Sequence, residues 1–249
     1  MITAIALEGL PQIAPGDDLA GLLAKSLAPH DPSDTDVVVL AHKIVSKAEG
    51  QIKALSSVTP SERARDLADR LDKDPRHVQI VLDESKQIVR AQRGVLICLT
   101  RHGFICANAG VDASNAPDAD TVVLLPRNPD ASARTLRRRI KELTDASPAV
   151  LITDSFGRAW RHGQVDVAIG CAGLAPLEDW RGRTDATGRA LKATWIAVAD
   201  ELAAAADLTR AKDGSQPAVL IRGAGRHVSA EDGPGAQTLL RPEAEDLFR

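Results

Sequence analysis

Two short apolar runs, each followed at once by polar residues, constrain most what this chain can fold into. Residues 37–40 form a continuous run of valines and a leucine, as in a strand that is buried on both faces. Residues 149–153 form a second run, which ends at the acid Asp154. Leucines at helical spacing occupy residues 19–27. The pattern therefore predicts buried strands that are covered by helices.

The rest of the chain alternates between strand and helix patterns, with hairpin signals mixed in. We expect further strands at 2–7, 94–99, 104–107, 121–125 and 218–221, and helices at 60–71, 77–90, 131–143 and 190–208. Residues 154–189 hold six glycines at no fixed period, so we expect an irregular, functional stretch there. The fold class is mixed α/β (α+β), in a single module spanning residues 1–249.

Composition excludes several classes of protein. The 249 residues carry 31 Lys and Arg against 34 Asp and Glu, a net charge of −3, and no Tyr, so nucleic acid is a poor expected partner. No run approaches about 18 apolar residues, which predicts no membrane span. The three cysteines lack Cys-x-x-Cys spacing and predict buried, reduced thiols in a cytoplasmic protein.

Familiar nucleotide-binding motifs are missing from the sequence. No Gly-x-x-x-x-Gly-Lys-Ser/Thr motif occurs, and Gly223 and Gly225 are not followed by the third glycine of a dinucleotide fingerprint. The fold is therefore expected to be neither a P-loop nor a Rossmann fold.

Oxygen-bearing side chains cluster in the segment GVDASN at 110–115, which contains Asp112, Ser114 and Asn115. A carboxylate, a hydroxyl and an amide at this spacing suit a hard cation together with a phosphate. The alternative is an Asx or Ser turn, in which the same side chains bind local backbone groups. The residue pattern leaves both open.

Asp154 and Ser155 leave the second apolar run and enter a Gly-rich stretch that holds Arg158 and Arg161. Helix capping does not explain this acid, because no helix pattern follows. We expect Asp154 and Asp112 to share a pair of divalent ions that bridge polyphosphate oxygens. The two arginines would neutralise phosphate or carboxylate charge.

Two lysines, Lys43 and Lys47, follow the first apolar run. Lysines are usually solvated, but the turn signal at 49–50 would hold this segment against the sheet and favours a functional role. The basic residues of 134–141 predict a solvated helix face, and Asp200 and Glu201 predict surface ion pairs.

Five segments together resemble the coenzyme F420-0:L-glutamate ligase family. They are LPQI at 10–13, HKIVSKAEG at 42–50, GVDASN at 110–115, ITDSFGRAWR at 152–161 and ADELAAAADL at 199–208. They occur in the family's order and cover nearly the whole chain. The chain resembles the stand-alone form of the family, without the additional flavin-binding domain of some members.

The resemblance implies roles for particular residues. Asp112 and Asp154 would be metal ligands, and Ser155 would contribute to a second metal. The nucleotide contacts would be Leu10, Pro11, Gln12, Ile13, His42, Lys47, Asn115, Lys212, Asp213, Gly214, Ser215 and Gln216. The catalytic set is expected to be Lys47, Asp112, Asp154, Arg158 and Arg161, the arginine roles being our inference from charge.

The implied reaction consumes GTP, with Mg²⁺ or Mn²⁺ at two positions and a requirement for K⁺ left open. A carboxylate of F420-0 would attack the γ-phosphate, and the amine of L-glutamate would then displace phosphate from the acyl phosphate; a second, γ-linked glutamate would be added to F420-1. The family's fold implies two interleaved subdomains and a homodimer.

Two rival functions remain open from the sequence. A metal-dependent nucleotide phosphohydrolase would use the same carboxylates without an acceptor. A nucleotide- or RNA-binding regulator would use the basic residues of 134–141, although the acidic net charge opposes it.

Overall fold

The computed structural model describes residues 1–114, 116–210 and 214–247. Within them the elements in chain order are β1 (Thr3–Ala6), α1 (Leu19–Leu27), β2 (Val37–Ala41), α2 (His42–Ala48), β3 (Ile52–Ala54), α3 (Glu62–Leu71), α4 (Pro75–Asp83), β4 (Ser85–Gln92), β5 (Val95–Thr100), β6 (Ile105–Ala107), β7 (Thr121–Val123), α5 (Pro129–Thr144), β8 (Ala149–Arg158), β9 (Arg161–Ala172), β10 (Glu178–Asp179), β11 (Trp195–Ile196), α6 (Val198–Asp207) and β12 (Ala218–Arg222). The predicted mixed α/β class is confirmed.

A five-stranded sheet in the order β1-β12-β2-β8-β9 forms the centre of the molecule. Its β2 and β8 strands pair in parallel, from Val37 opposite Ala149 to Ala41 opposite Thr153. Helices α1 and α5 pack on the face that includes Val38 and Leu40, and α6 packs on the face that includes Val37 and Val39. Both faces are covered, which explains why the β2 run is apolar at every position.

A second layer of structure lies between α2 and α5 in the chain. Strands β4, β5 and β6 form an antiparallel sheet, and α3 and α4 contribute to a separate apolar cluster with it. Strand β3 pairs with β7, and Asp112 forms a bridge with Val123 directly beside this pair. The layer thus carries Asp112 toward the central sheet.

Two predicted helices are wrong in extent. The helix predicted at 77–90 ends at Asp83, and Ser85–Gln92 is a strand because it pairs antiparallel with β5, a tertiary contact that overrides the local pattern. The helix predicted at 190–208 begins only at Val198.

The prediction of an irregular stretch over 154–189 is also wrong in its first half. Strands β8 and β9 form a long antiparallel hairpin from Ala149 to Ala172. Glycine does not break this ladder. At Gly170 a Cβ would lie 2.4 Å from the carbonyl carbon of Pro129. Only glycine therefore fits at this position, where the start of α5 approaches the sheet closely.

Charged side chains of α5 and α6 differ from the predicted solvated and surface roles. Arg137 is buried and donates to the carbonyl oxygens of Ser229 and Ala230 and to Asp232. Asp200 is partly buried and accepts from the backbone N–H of Ala168, and this burial raises its pKa. Arg137 thus supplies hydrogen-bond donors to backbone carbonyls, and Asp200 supplies an acceptor to a backbone N–H, in place of backbone partners.

The three cysteines, Cys98, Cys106 and Cys171, are buried and free, as predicted. Burial raises the pKa of the Cys106 and Cys171 thiols to about 12, so neither is a reactive thiolate at neutral pH. Among the described residues, no helix combines the length and apolar character that a membrane crossing requires.

Asp130 is the basis for a stability prediction. One carboxylate oxygen accepts from the backbone N–H groups of Cys171 and Ala236, both at 2.8 Å. Asp130→Ala leaves two buried donors unpaired and should cost about 2–4 kcal/mol of unfolding free energy, measured by urea denaturation. Asp130→Asn keeps an acceptor oxygen and should cost much less. Equal losses in the two variants would contradict this account.

Candidate functional site

A cavity of about 570 Å³ opens where β2 ends. Its walls come from the loop after β1, the start of α2, the 112–114 turn, the β8–β9 hairpin and the chain after α6. The lining residues are Leu10, Pro11, Gln12, Ile13, Ala41, His42, Lys43, Ile44, Lys47, Asp112, Ser114, Thr153, Asp154, Ser155, Gln164, Asp166, Asp207, Arg210, Ser215, Gln216 and Pro217.

Unequal strand lengths create this cavity. Strand β2 stops at Ala41 and turns directly into α2, whereas its parallel neighbour β8 continues to Arg158. The β2–β8 pairing ends at Ala41 opposite Thr153, so the next residues of β8 border the cavity. Ligand sites in α/β folds commonly lie at such carboxyl ends of strands.

Asp112 is bound by two groups in the cavity wall. Its Oδ2 lies 2.6 Å from the ammonium of Lys43, and its two oxygens accept from the backbone N–H and the hydroxyl of Ser114. Burial acts to raise the pKa of Asp112, but Lys43 and Ser114 outweigh it and lower that pKa overall. The Asx turn considered from the sequence is therefore present, and the carboxylate still faces the cavity.

Asp154 lies beside the basic side chain of His42, which precedes Lys43 in the first turn of α2. Its Oδ1 lies 3.4 Å from Nε2 of His42, whose side chain is 2% exposed. This Nε2 is buried without a hydrogen-bond partner, while Nδ1 lies 3.2 Å from the hydroxyl of Ser46. Consecutive residues of α2, His42 and Lys43, thus each approach one of the two predicted metal-binding aspartates.

Lys47 lies one turn further along α2 and is 6% exposed. Burial, followed by the nearby charge of Lys43, lowers the pKa of Lys47. A buried ammonium that lines a cavity favours an anionic ligand, because the ligand would replace the hydration that burial removes.

Ser155 contacts an acid that the sequence analysis missed. Its hydroxyl donates to Oδ1 of Asp166 at 2.6 Å, and Thr153 donates to Oδ2 at 2.7 Å. Arg210 donates to Oδ2 at 2.5 Å, and the Asp166 and Arg210 side chains are 5% and 7% exposed. The alternating polar and apolar residues at 164–167 are a sequence signal for a strand that would include Asp166, but the glycines on either side favoured the prediction of a loop.

Arg158 and Arg161 lie apart from the cavity lining. They flank the turn of the β8–β9 hairpin, both are exposed, and Arg158 donates to the carbonyl oxygen of His162. The β8–β9 ladder carries them beyond the sheet, so the structure does not bring them together with Asp112 and Asp154.

The predicted nucleotide contacts fall into two groups. Leu10, Pro11, Gln12, Ile13, His42, Lys47, Ser215 and Gln216 line the cavity, and Gly214 is exposed beside them. Asn115, Lys212 and Asp213 lie outside the described residues. Lys43, Ser114, Gln164, Asp166 and Asp207 also line the cavity, although the predicted contact set did not name them.

The cavity combines carboxylates and cationic side chains at one location. The carboxylates of Asp112 and Asp154 lie near three basic side chains of α2, those of His42, Lys43 and Lys47. Within ranges 1–114, 116–210 and 214–247, no three His, Cys, Asp or Glu residues group as metal ligands. Two carboxylates and hydroxyls can still hold a hard cation that takes its remaining ligands from a bound phosphate.

Known proteins match the chain along its whole length. A model of the family F420-0:Gamma-glutamyl ligase matches residues 9–223. The Coenzyme F420:L-glutamate ligase of Methanothermobacter thermautotrophicus is 46% identical over 251 residues, covering 100% of this chain and 99% of the relative. Proteins of the same name from Methanopyrus kandleri and Methanocaldococcus jannaschii are 44% and 41% identical, covering 100% of this chain and 99% and 97% of the relatives.

The match extends through the strands, helices and loops that build the cavity, and it confirms the resemblance that the five sequence segments indicated. The chain belongs to the F420-0:gamma-glutamyl ligase family.

Proposed function

We propose that this chain is a GTP-dependent ligase that joins L-glutamate to coenzyme F420-0 and then adds a γ-linked glutamate to F420-1. The observation that carries the proposal is the cavity at the end of β2, where Asp112, Asp154 and the buried Lys47 face one space. Relatives that cover the whole chain bear the name Coenzyme F420:L-glutamate ligase, which supports the substrate assignment.

A divalent cation fits the oxygen donors of this site. Asp112 and Asp154 would hold one ion, and Ser155 would contribute to a second. In the structure Asp112 lies beside the Lys43 ammonium and Asp154 beside the His42 imidazole. When bound, Mg²⁺ or Mn²⁺ would neutralise part of the negative charge of the triphosphate.

The residues of the chain bind and orient the reactants. Lys47 and Lys43 would neutralise phosphate oxygens, and the 10–13 loop and Gln216 would hold the nucleotide. A carboxylate oxygen of F420-0 bonds to the γ-phosphorus as the bond to the β-γ bridging oxygen breaks, releasing GDP. The amine nitrogen of glutamate then bonds to the acyl carbon, phosphate leaves, and the amine proton passes to phosphate or solvent. Positioning and electrostatics would supply most of the rate.

The exposed hairpin tip supports a further part of the proposal, a homodimer. Arg158 and Arg161 flank the tip with Trp160, which is 82% exposed. Arginine and tryptophan are enriched at the centres of protein interfaces. In a dimer, the tip of one subunit would bring these arginines to an anionic substrate group in the site of its partner.

Glutamate transfer tests the main proposal. Purified protein with GTP, Mg²⁺ or Mn²⁺, glutamate and F420-0 should yield GDP, phosphate and a glutamylated product that mass spectrometry detects. Asp154→Ala should reduce turnover at least about 100-fold, since it removes a charged group from the reacting centre. Asp179→Ala, which changes an exposed acid of β10 outside the cavity, is the control. Unchanged glutamylation in Asp154→Ala would refute the role of this carboxylate.

The rival functions give different results in the same preparation. A nucleotide phosphohydrolase would release phosphate at full rate when F420-0 and glutamate are omitted, whereas the ligase should not. An RNA-binding regulator would show salt-dependent RNA affinity that is lost when the exposed α5 residues Arg138 and Lys141 are neutralised.

Lys43 gives a second prediction. Its ammonium competes with a divalent ion for Asp112, so Lys43→Met should tighten Mn²⁺ binding without nucleotide by about two- to fivefold, the equivalent of a partly exposed ion pair. The same variant should bind GTP more weakly, because phosphate loses a cation. Lys43→Arg is the matched control. Calorimetric titrations with Mn²⁺ alone and with GTP measure both effects, and weaker Mn²⁺ binding in Lys43→Met would contradict the competition.

Subunit mixing tests the hairpin contact. Arg158→Ala/Arg161→Ala and Asp154→Ala should each be nearly inactive alone. Randomly exchanged subunits should regain about a quarter of wild-type activity, because one site of each mixed dimer combines intact aspartates with the partner's intact arginines. Sedimentation confirms dimer formation. No recovery of activity in mixed dimers would rule out arginines acting across the interface.

A further inference from the structure

We infer that His42 is a positioning residue for Asp154. Ser46 holds the imidazole in the tautomer that carries its proton on Nε2, and this N–H fixes the carboxylate that is proposed to bind a divalent ion. The inference rests on the proposed function, in which Asp154 is a metal ligand. It gives His42 a role that it performs through its neighbour, instead of a contact with the nucleotide.

The strand register places His42 and Asp154 side by side. The parallel pairing of β2 with β8 ends at Ala41 opposite Thr153, so His42 and Asp154 are the next residues along the two segments. His42 begins α2, and its side chain is buried. Its Nε2 lies 3.4 Å from Oδ1 of Asp154. The contact between these two groups therefore follows from the junction of β2 and α2.

The Nε2 atom of His42 needs a partner because it is buried. Among the described residues, no group forms a hydrogen bond of good geometry with this nitrogen. A buried polar atom that stays unpaired costs free energy. Asp154 is the acid beside it, so the pairing of the two side chains would remove that cost.

The tautomer follows from the two neighbours of the ring. In a neutral imidazole one nitrogen donates and the other accepts. The buried hydroxyl of Ser46 lies 3.2 Å from Nδ1 of His42 and can take either role there. An unprotonated Nε2 would direct its lone pair at a carboxylate oxygen, and water would screen this repulsion little at a buried position. Asp154 therefore selects a proton on Nε2, and Ser46 donates to Nδ1.

A hydrogen bond from His42 would fix how Asp154 presents its oxygens. Oδ1 of Asp154 already accepts from the backbone N–H of Ser155 at 2.8 Å. The contact with Nε2 is longer than the usual N–H···O distance by about 0.5 Å, so a small movement of the carboxylate completes the bond. Two donors on one oxygen oppose rotation of the carboxylate. Hydrogen-bond partners of this kind orient metal ligands.

Histidine NMR of the metal-free protein tests the tautomer. The chain has six histidines, and the signals of His42 are those that are missing from the His42→Gln protein. Two-bond ¹H–¹⁵N correlations show which ring nitrogen is protonated. In wild type, at a pH where the ring is neutral, the proton should be on Nε2. Asp154→Ala removes the acid that selects this tautomer and should raise the population with a proton on Nδ1.

Calorimetric titration with Mn²⁺ alone tests the positioning. His42→Leu keeps an apolar side chain in the buried position and removes the donor, so Mn²⁺ affinity should fall about 10- to 100-fold, the usual effect of losing a partner that orients a metal ligand. His42→Gln places an amide N–H near the position of Nε2 and should keep affinity close to that of wild type. Melting temperatures show that each variant is folded.

His102 supplies the matched control. Its Nε2 lies 3.0 Å from the carbonyl oxygen of Pro126, and its Nδ1 is also a buried atom without a hydrogen-bond partner among the described residues. It is not part of the cavity lining. His102→Leu should lower the melting temperature and leave Mn²⁺ affinity unchanged.

Three results would each overturn the inference: a proton on Nδ1 of His42 in wild type, wild-type Mn²⁺ affinity in His42→Leu, or equal losses of affinity in the leucine and glutamine variants. A wild-type protein that binds no Mn²⁺ would instead overturn the proposed metal site. The NMR result would still decide whether His42 donates to Asp154.

Discussion

The unequal lengths of the parallel strands β2 and β8 are the constraint on which the site depends. Their pairing ends at Ala41 and Thr153, and the chain turns into α2 at once. His42, Lys43 and Lys47 then lie along two turns of α2, beside the part of β8 that extends past the end of β2. A longer β2 would occupy the cavity with backbone and would move His42 and Lys43 away from the aspartates.

Charge balance explains how so many ionisable groups lie in one partly buried region. Each carboxylate has a basic neighbour: the Lys43 ammonium beside Asp112, the His42 imidazole near Asp154, and the Arg210 guanidinium against Asp166. Burial disfavours a lone charge, so these pairings let the fold hold the acids in place. The buried Lys47 carries charge that an anionic ligand would neutralise.

Local patterns predicted much of the architecture. The apolar runs of β2 and β8 were predicted because burial on both faces requires such residues, and α1, α3 and α5 followed from helical periodicity. Strand β4 and the β8–β9 hairpin were mispredicted. Ser85–Gln92 carries few apolar residues and is a strand because it pairs with β5. Of the two β9 glycines, Gly170 serves close packing against the start of α5, whereas Gly163 lies beside the hairpin turn. Asp154 and Lys47 were predicted from their places after apolar runs and Asp112 from the oxygen-bearing cluster at 110–115, whereas Asp166 lay in a segment interpreted as a loop.

The sequence by itself determined the mixed α/β class, the buried thiols, the family and the acids and lysines that follow its strands, because local burial patterns and short motifs encode them. Only the tertiary structure decided which of these groups meet. It placed Asp112 against Lys43 from another layer, paired Asp166 with Arg210 across 44 positions, and carried Arg158 and Arg161 out to a hairpin tip. Contacts between distant segments depend on strand register and strand length, and those are set by packing of the whole chain rather than by any one stretch of it.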